Sequence, residues 1–164
     1  MKHLITLTLL IVTLMLSGCG ERLPDGMPKP YPVTIHVIQD GKAMQGASVT
    51  LIPQGESISG RNKWTAGALT DSSGNAVIKV LARYAGAVPG NYKVAVEKLI
   101  TERAGQPPAD RSSKEYSDWL NNPRVWNAVD EKYSIVNTQE MLEVVAGKNA
   151  KTLDVGTFAA YKEE

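Results

Sequence analysis

A chain of 164 residues with 43% hydrophobic residues and a single cysteine has room for one compact domain and no disulfide inside it. Its 18 basic and 17 acidic residues leave a net charge of +1. That balance argues against nucleic acid, which rewards clustered cations through counterion release, and against polybasic membrane adhesion.

The chain opens with Lys2 and His3, followed by the apolar run Leu4–Leu16. A membrane-spanning helix needs roughly 20 apolar residues, so this run suits the hydrophobic part of an export signal. Leu16-Ser17-Gly18-Cys19 comes directly after it. That tetrapeptide resembles the bacterial lipobox, in which a Leu and two small residues precede a cysteine that takes a diacylglyceryl thioether. The expectation is a signal peptide over 1–18, lipidation at Cys19, and export of the mature chain to the periplasmic or outer face of a membrane. Gly20, rather than Asp, follows the cysteine, which fits outer-membrane placement. Removing residues 1–18 takes away Lys2 and no acid, leaving 17 basic against 17 acidic residues.

Residues 19–32 hold Pro24, Pro28, Pro30 and Pro32 and read as a semi-rigid tether that lifts the domain off the bilayer. From Val33 the period becomes two: Val33, Ile35 and Val37 alternate with Thr34, His36 and Ile38, the mark of a strand with one buried face. Asp40-Gly41-Lys42 is a turn. Ala47, Val49, Leu51 and Pro53 then share a face. Gln54–Lys63 is a polar loop, and Trp64–Thr70 is a shorter strand ending at Asp71-Ser72-Ser73-Gly74-Asn75, whose residue types suit a tight hairpin turn. A strand over Ala76–Leu81 follows, then a Pro89-Gly90 corner and a strand in which Tyr92, Val94 and Val96 share a face.

Leu99–Asp130 breaks this rhythm. It is polar, carries Pro107-Pro108, and contains a short helix over Ser112–Asn121 that Ser112 or Ser113 caps. Strands resume at Leu142–Val145 and Lys151–Val155 around an Ala146–Asn149 turn. Short strands at near-regular spacing predict an all-β antiparallel sandwich of about seven strands over 33–158, with 99–130 as an insertion and 159–164 as a tail.

Three segments carry a family resemblance: Asp40-Gly41-Lys42-Ala43-Met44-Gln45-Gly46-Ala47-Ser48-Val49, Thr70-Asp71-Ser72-Ser73-Gly74-Asn75-Ala76 and Val88-Pro89-Gly90-Asn91-Tyr92-Lys93-Val94. They are similar to the hairpin signatures of carboxypeptidase-regulatory-like, transthyretin-related domains. Lys132–Thr138 and Gly147–Asn149 resemble the C-terminal half of a planctomycete-type family of small lipoproteins. The resemblance spans about residues 33–155 and implies an Ig-like or prealbumin-like sandwich without catalysis. Ala43 stands where that pattern usually has Pro.

Candidate chemistry is sparse. His36 has no ligand-spaced partner, so neither a metal site nor a histidine-based triad is expected, and no cofactor is implied. Asp71–Asn75 superficially resembles a calcium loop but lacks its later bidentate Glu, and a plain turn is expected. Glu140 and Glu143 read as solvated. Trp119 and Trp126 flank Asn121, Asn122 and Arg124 in the insertion. Rings beside amides and a guanidinium suit a sugar platform; the competing expectation is that the rings pin the insertion onto the sandwich. The sequence therefore predicts a lipid-anchored, non-enzymatic binding or structural module. Its expected partner is an envelope protein, or a glycan held by the insertion.

Overall fold

The computed structural model describes residues 22–54 and 64–158. The expectations for the signal peptide, Cys19 lipidation and the C-terminal tail lie outside the described residues, as does most of the Gln54–Lys63 loop.

The alternating segment forms β1, Val33–Gln39, with Val33, Ile35 and Val37 at 1% exposure or less. It turns at Asp40-Gly41 into a two-residue β2, Lys42–Ala43, and the chain enters β3, Ser48–Pro53. Next come β4 (Ala66–Leu69), β5 (Asn75–Val77), β6 (Lys79–Val80) and β7 (Tyr84–Ala85). The long β8 spans Gly90–Glu97. After it lie β9 (Leu99–Glu102), helix α1 (Lys114–Asn121), β10 (Arg124–Asn127), β11 (Met141–Val144) and β12 (Asn149–Asp154).

Two sheets make the sandwich. One is built on β1, which pairs with β12 on one side and with β2 and β5 on the other. The second runs β11-β8-β3-β4-β6-β7, antiparallel at every step. The all-β sandwich expected from the strand spacing is therefore the observed architecture, with one exception to antiparallel pairing. β1 and β12 run parallel, Val33 beside Asn149 through Ile38 beside Asp154. Parallel neighbours require a long crossover, and here everything between the first and last strands supplies it.

The core lies between the sheets. Tyr92, Ile35, Leu51 and Ile78 are its largest fully buried side chains, and each aliphatic one contributes about 1.5–3 kcal/mol relative to exposure. The Tyr92 hydroxyl donates to the Val88 carbonyl at 2.7 Å, so the ring is buried without an orphaned polar atom. The Thr70 hydroxyl accepts from Ala47 N–H at 2.8 Å and donates to the Met44 carbonyl, tying the β2–β3 approach to the end of β4. In the following turn the Asp71 carboxylate accepts from Ser73 N–H (2.8 Å) and Asn75 N–H (2.9 Å). Gly74 takes φ +77°, where a Cβ would lie 2.6 Å from the Val37 carbonyl oxygen. The residue types that resembled an ion loop are used up in a turn.

The segment before β1, expected as a semi-rigid tether lifting the domain off the bilayer, is docked on the sandwich in its described part. Met27 is buried in the core, and Leu23 and Tyr31 pack against it. Met27 N–H bonds to the Pro24 carbonyl at 3.0 Å across a turn in which Gly26 has φ +77°, and Tyr31 exchanges two main-chain hydrogen bonds with Ala87. The four prolines set the extended backbone, but Leu23, Met27 and Tyr31 recur every four residues between them, and burying apolar surface favours docking over solvation.

Candidate functional site

Strand register sorts the sandwich into two ends. The first end gathers the starts of β1, β8 and β12 and the finish of β11, since Val33 faces Asn149 and Gly90 faces Val144. The second gathers the finishes of β1 and β8 with the start of β3, where Glu97 faces Ser48. The insertion leaves from this second end. Three hydrogen bonds hold its root: Gln39 Nε2 donates to the Ala128 carbonyl at 2.9 Å, and Asn127 Oδ1 accepts from Lys98 N–H (2.9 Å) and Val129 N–H (3.1 Å).

Beyond that root, β9 and β10 pair with each other and with nothing else among the described residues, forming a two-stranded arm. The sequence reading missed both strands. Each is four residues long and flanked by polar residues, too short for the period of two to rise above its surroundings; the β-formers Leu99-Ile100-Thr101 and Val125-Trp126 were the only signal. Register places Leu99, Thr101, Val125 and Asn127 on one face of the arm and Ile100, Glu102, Arg124 and Trp126 on the other. The first face is open to solvent, with Leu99 70% and Val125 52% exposed.

Helix α1 caps the arm's tip. Ser113 Oγ accepts from Tyr116 N–H at 3.0 Å and Glu115 sits in the first turn, so one of the two serines expected to cap the helix does so. No residue of the helix is buried. Its hold on the arm comes through Trp119, whose indole Nε1 donates to the Ala104 carbonyl at 3.0 Å and whose ring lies under the Arg103 guanidinium, 5.2 Å from carbon to centroid. Arg103 Nε reaches the Leu120 carbonyl at 3.3 Å, and the Tyr116 ring stands 5.9 Å from that of Trp119.

The residues expected as a sugar platform are thus distributed. Trp119 belongs to the helix and Trp126 to β10. The Asn121 amide donates to Ser117 Oγ (3.3 Å) and the Asn122 amide to the Asp118 carbonyl (2.9 Å). Arg124 lies in register with Glu102 on the arm. Both amides point back into their own helix, and Trp119 ties that helix to Arg103 and Ala104 within the insertion, where the pinning expectation had the ring on the sandwich itself.

Elsewhere, a half-open cleft of about 290 Å³ is lined by Lys132, Tyr133, Asn137, Gln139 and Glu140. Several of its polar groups are engaged by residues around it. The Tyr133 hydroxyl donates to the Asp154 carbonyl at 2.8 Å and its ring lies 5.0 Å from the Lys132 ammonium; the Asn137 amide reaches Glu131 at 3.1 Å, and the Lys151 ammonium pairs with Glu140 at 3.0 Å. His36 is half-buried, its Nδ1 3.1 Å from Asn75 Oδ1 on the neighbouring strand. Among the described residues no group of three His, Cys, Asp or Glu side chains could hold a metal ion. The Asp110 carboxyl lies below its ordinary pKa because the Ser112 hydroxyl, and then the Ser112 N–H, donate to its charged form. No helix among the described residues is long and apolar enough to cross a membrane.

Fold and site together define a two-sheet β-sandwich bearing a helix-tipped β arm. No family model, curated protein or solved structure matches the chain.

Proposed function

We propose that the chain is a lipid-anchored, extracytoplasmic β-sandwich serving as a non-catalytic binding module, and that it engages an envelope protein through the open face of the β9–β10 arm. One observation carries this reading. An isolated two-stranded ribbon is marginal in water, yet here one is rigidly rooted, pinned at its tip, and left with Leu99 and Val125 exposed on a single face. Apolar side chains grouped on a projecting element mark contact surfaces more often than scattered exposed residues do. The lipobox-like Leu16–Cys19 and the hairpin signatures similar to carboxypeptidase-regulatory-like domains support the anchored-appendage part of the reading.

The test is a photo-crosslinking residue at Leu99 in the native host. The expected outcome is one dominant envelope protein that disappears when Val125→Glu is added. No adduct, with an adduct instead from a control site such as Lys79, counts against the arm. Anchoring is tested separately: Cys19→Ser is expected to leave the membrane fraction.

A glycan reading has narrower support, from the adjacent Tyr116 and Trp119 rings at the arm's tip. Unchanged glycan retention after Trp119→Ala and Trp126→Ala removes it.

A further inference from the structure

The mature chain has no net charge to offer a membrane, but the fold sorts its charges. At the end of the sandwich where the N-terminal segment enters, two turns project, one from each edge of the six-stranded sheet. The β6–β7 turn carries Leu81 (41% exposed) and Arg83, and the β11–β12 turn carries Val145 (49% exposed) and Lys148. Lys29 joins them, its ammonium 5.7 Å from the Tyr31 ring, and Tyr31 is bridged to Ala87 two residues before β1 begins. Arg83 lies in the same way over Tyr84, at 5.3 Å. Among the described residues, the acids nearest this end are Asp25, in the docked turn, and Glu143, opposite Asn91 on β11. At the other end the balance reverses: Asp40, Asp71, Glu97, Asp130, Glu131 and Asp154 stand against Lys42, Lys98 and Lys132.

The docked N-terminal segment adds a length limit. Leu23 already packs against the core, and only four residue steps separate it from Cys19, at most about 14 Å of extended chain. A lipid on Cys19 therefore cannot hold the domain on a long leash. We infer that the sandwich rests on anionic lipid headgroups through the end that carries Lys29, Arg83 and Lys148, with the arm aimed away from the bilayer. This rests on the anchoring reading above and adds to it an orientation and a partner chemistry. Each of the two turns presents one aliphatic side chain beside one cation. Such a pair suits an interface where hydrocarbon begins just below a layer of phosphates, and a basic cluster gains attraction only within a Debye length of that layer. The short connection to Cys19 supplies that proximity.

The experiment uses the protein purified from membranes, reconstituted into vesicles of phosphatidylcholine alone or with one-third phosphatidylglycerol, and floated on a density gradient. Lysine acetylation rates are then read by mass spectrometry. On anionic vesicles Lys29 and Lys148 are expected to react roughly threefold or more slowly than on neutral ones, while Lys42 and Lys132 react equally on both. The protection of Lys29 is expected to vanish in high salt and in the double variant Arg83→Glu, Lys148→Glu. Protein that floats with Lys29 and Lys148 as reactive on anionic as on neutral vesicles overturns the inference and leaves the anchoring reading standing. So does protection seen only in native envelope and never on vesicles, which would assign this end to an acidic protein. Protein that floats on neither vesicle overturns both.

Discussion

Gln39 and Ala128 are 89 positions apart, and a single 2.9 Å hydrogen bond from the Gln39 amide to the Ala128 carbonyl joins the end of β1 to the foot of the arm. Both residues are buried, Gln39 at 9% and Ala128 at 0% exposure. A long polar side chain is kept at an otherwise apolar edge of the core because the chain leaving β10 presents a carbonyl there that water does not reach. Removing the donor leaves that acceptor unsatisfied, at about 1–3 kcal/mol. Gln39→Leu is expected to lower stability by that amount in denaturant unfolding and to speed amide exchange at Ala128 and Val129 more than at Tyr92. Uniform exchange across the domain would show that the bond does not fix the arm's root.

The second expectation concerns Gly86. Its φ is +99°, and a Cβ there would overlap the carbonyl of Tyr31. The same carbonyl accepts from Ala87 N–H at 3.0 Å, so the N-terminal segment cannot move aside without breaking its bridge to the sandwich. Gly86→Ala is expected to cost on the order of 3 kcal/mol and to release the docked segment, seen as proteolysis near Arg22 or Lys29 under native conditions. An unchanged midpoint and an intact N-terminus would contradict the docking.

Stability can also be raised. Leu81 and Ala82 hold φ of 53° and 57° in succession, a left-handed conformation that costs an L-residue roughly 1–2 kcal/mol. Glycine adopts it freely but loses more chain entropy on folding, by about 0.5–1 kcal/mol. Ala82→Gly, at an exposed site, is therefore expected to stabilise the fold by about 0.5–1 kcal/mol, visible as a higher unfolding midpoint at unchanged denaturant slope. A loss of stability would refute the strain argument.

Trp119 gives the fourth expectation. Its indole is the principal link between α1 and the arm's tip just past β9, and the helix has no buried residue of its own. An unsupported eight-residue helix is marginal in water. Trp119→Ala is expected to raise amide exchange over 114–121 at least tenfold and to leave the global unfolding midpoint nearly unchanged. A large fall in the midpoint would mean that the arm's tip is part of the core's cooperative unit.

What the sequence made legible follows its local signals. The period-two run of Val33, Ile35 and Val37 marked β1 and its buried face; Asp71, Gly74 and Asn75 marked a turn; Ser113 marked a helix start. Each is decided by residues within a few positions of one another. The parallel partnership of β1 with β12 is decided by packing between strands some 116 positions apart, and neither strand's pattern names its partner. Docking of Leu23, Met27 and Tyr31 was hidden by prolines that suggested a spacer. The sorting of charge between the two ends could not be read at all, because composition averages over exactly the direction that the fold resolves. Of the candidate site, Trp119 and Trp126 drew attention to the segment that forms the arm, but the arm's open face depends on β9–β10 register, which two four-residue strands do not advertise.

The parallel pairing of β1 with β12 also has a mechanical side. With the N-terminus anchored and the arm held by a partner, as proposed above, the domain would be pulled along the axis of β1, from the end where Val33 lies toward the end where Gln39 lies. In that geometry the rungs from Val33–Asn149 to Ile38–Asp154 are loaded together in shear, and none can open before the others share the tension. Strands pulled across their ladder would unzip rung by rung at low force. A ladder loaded this way yields late and all at once.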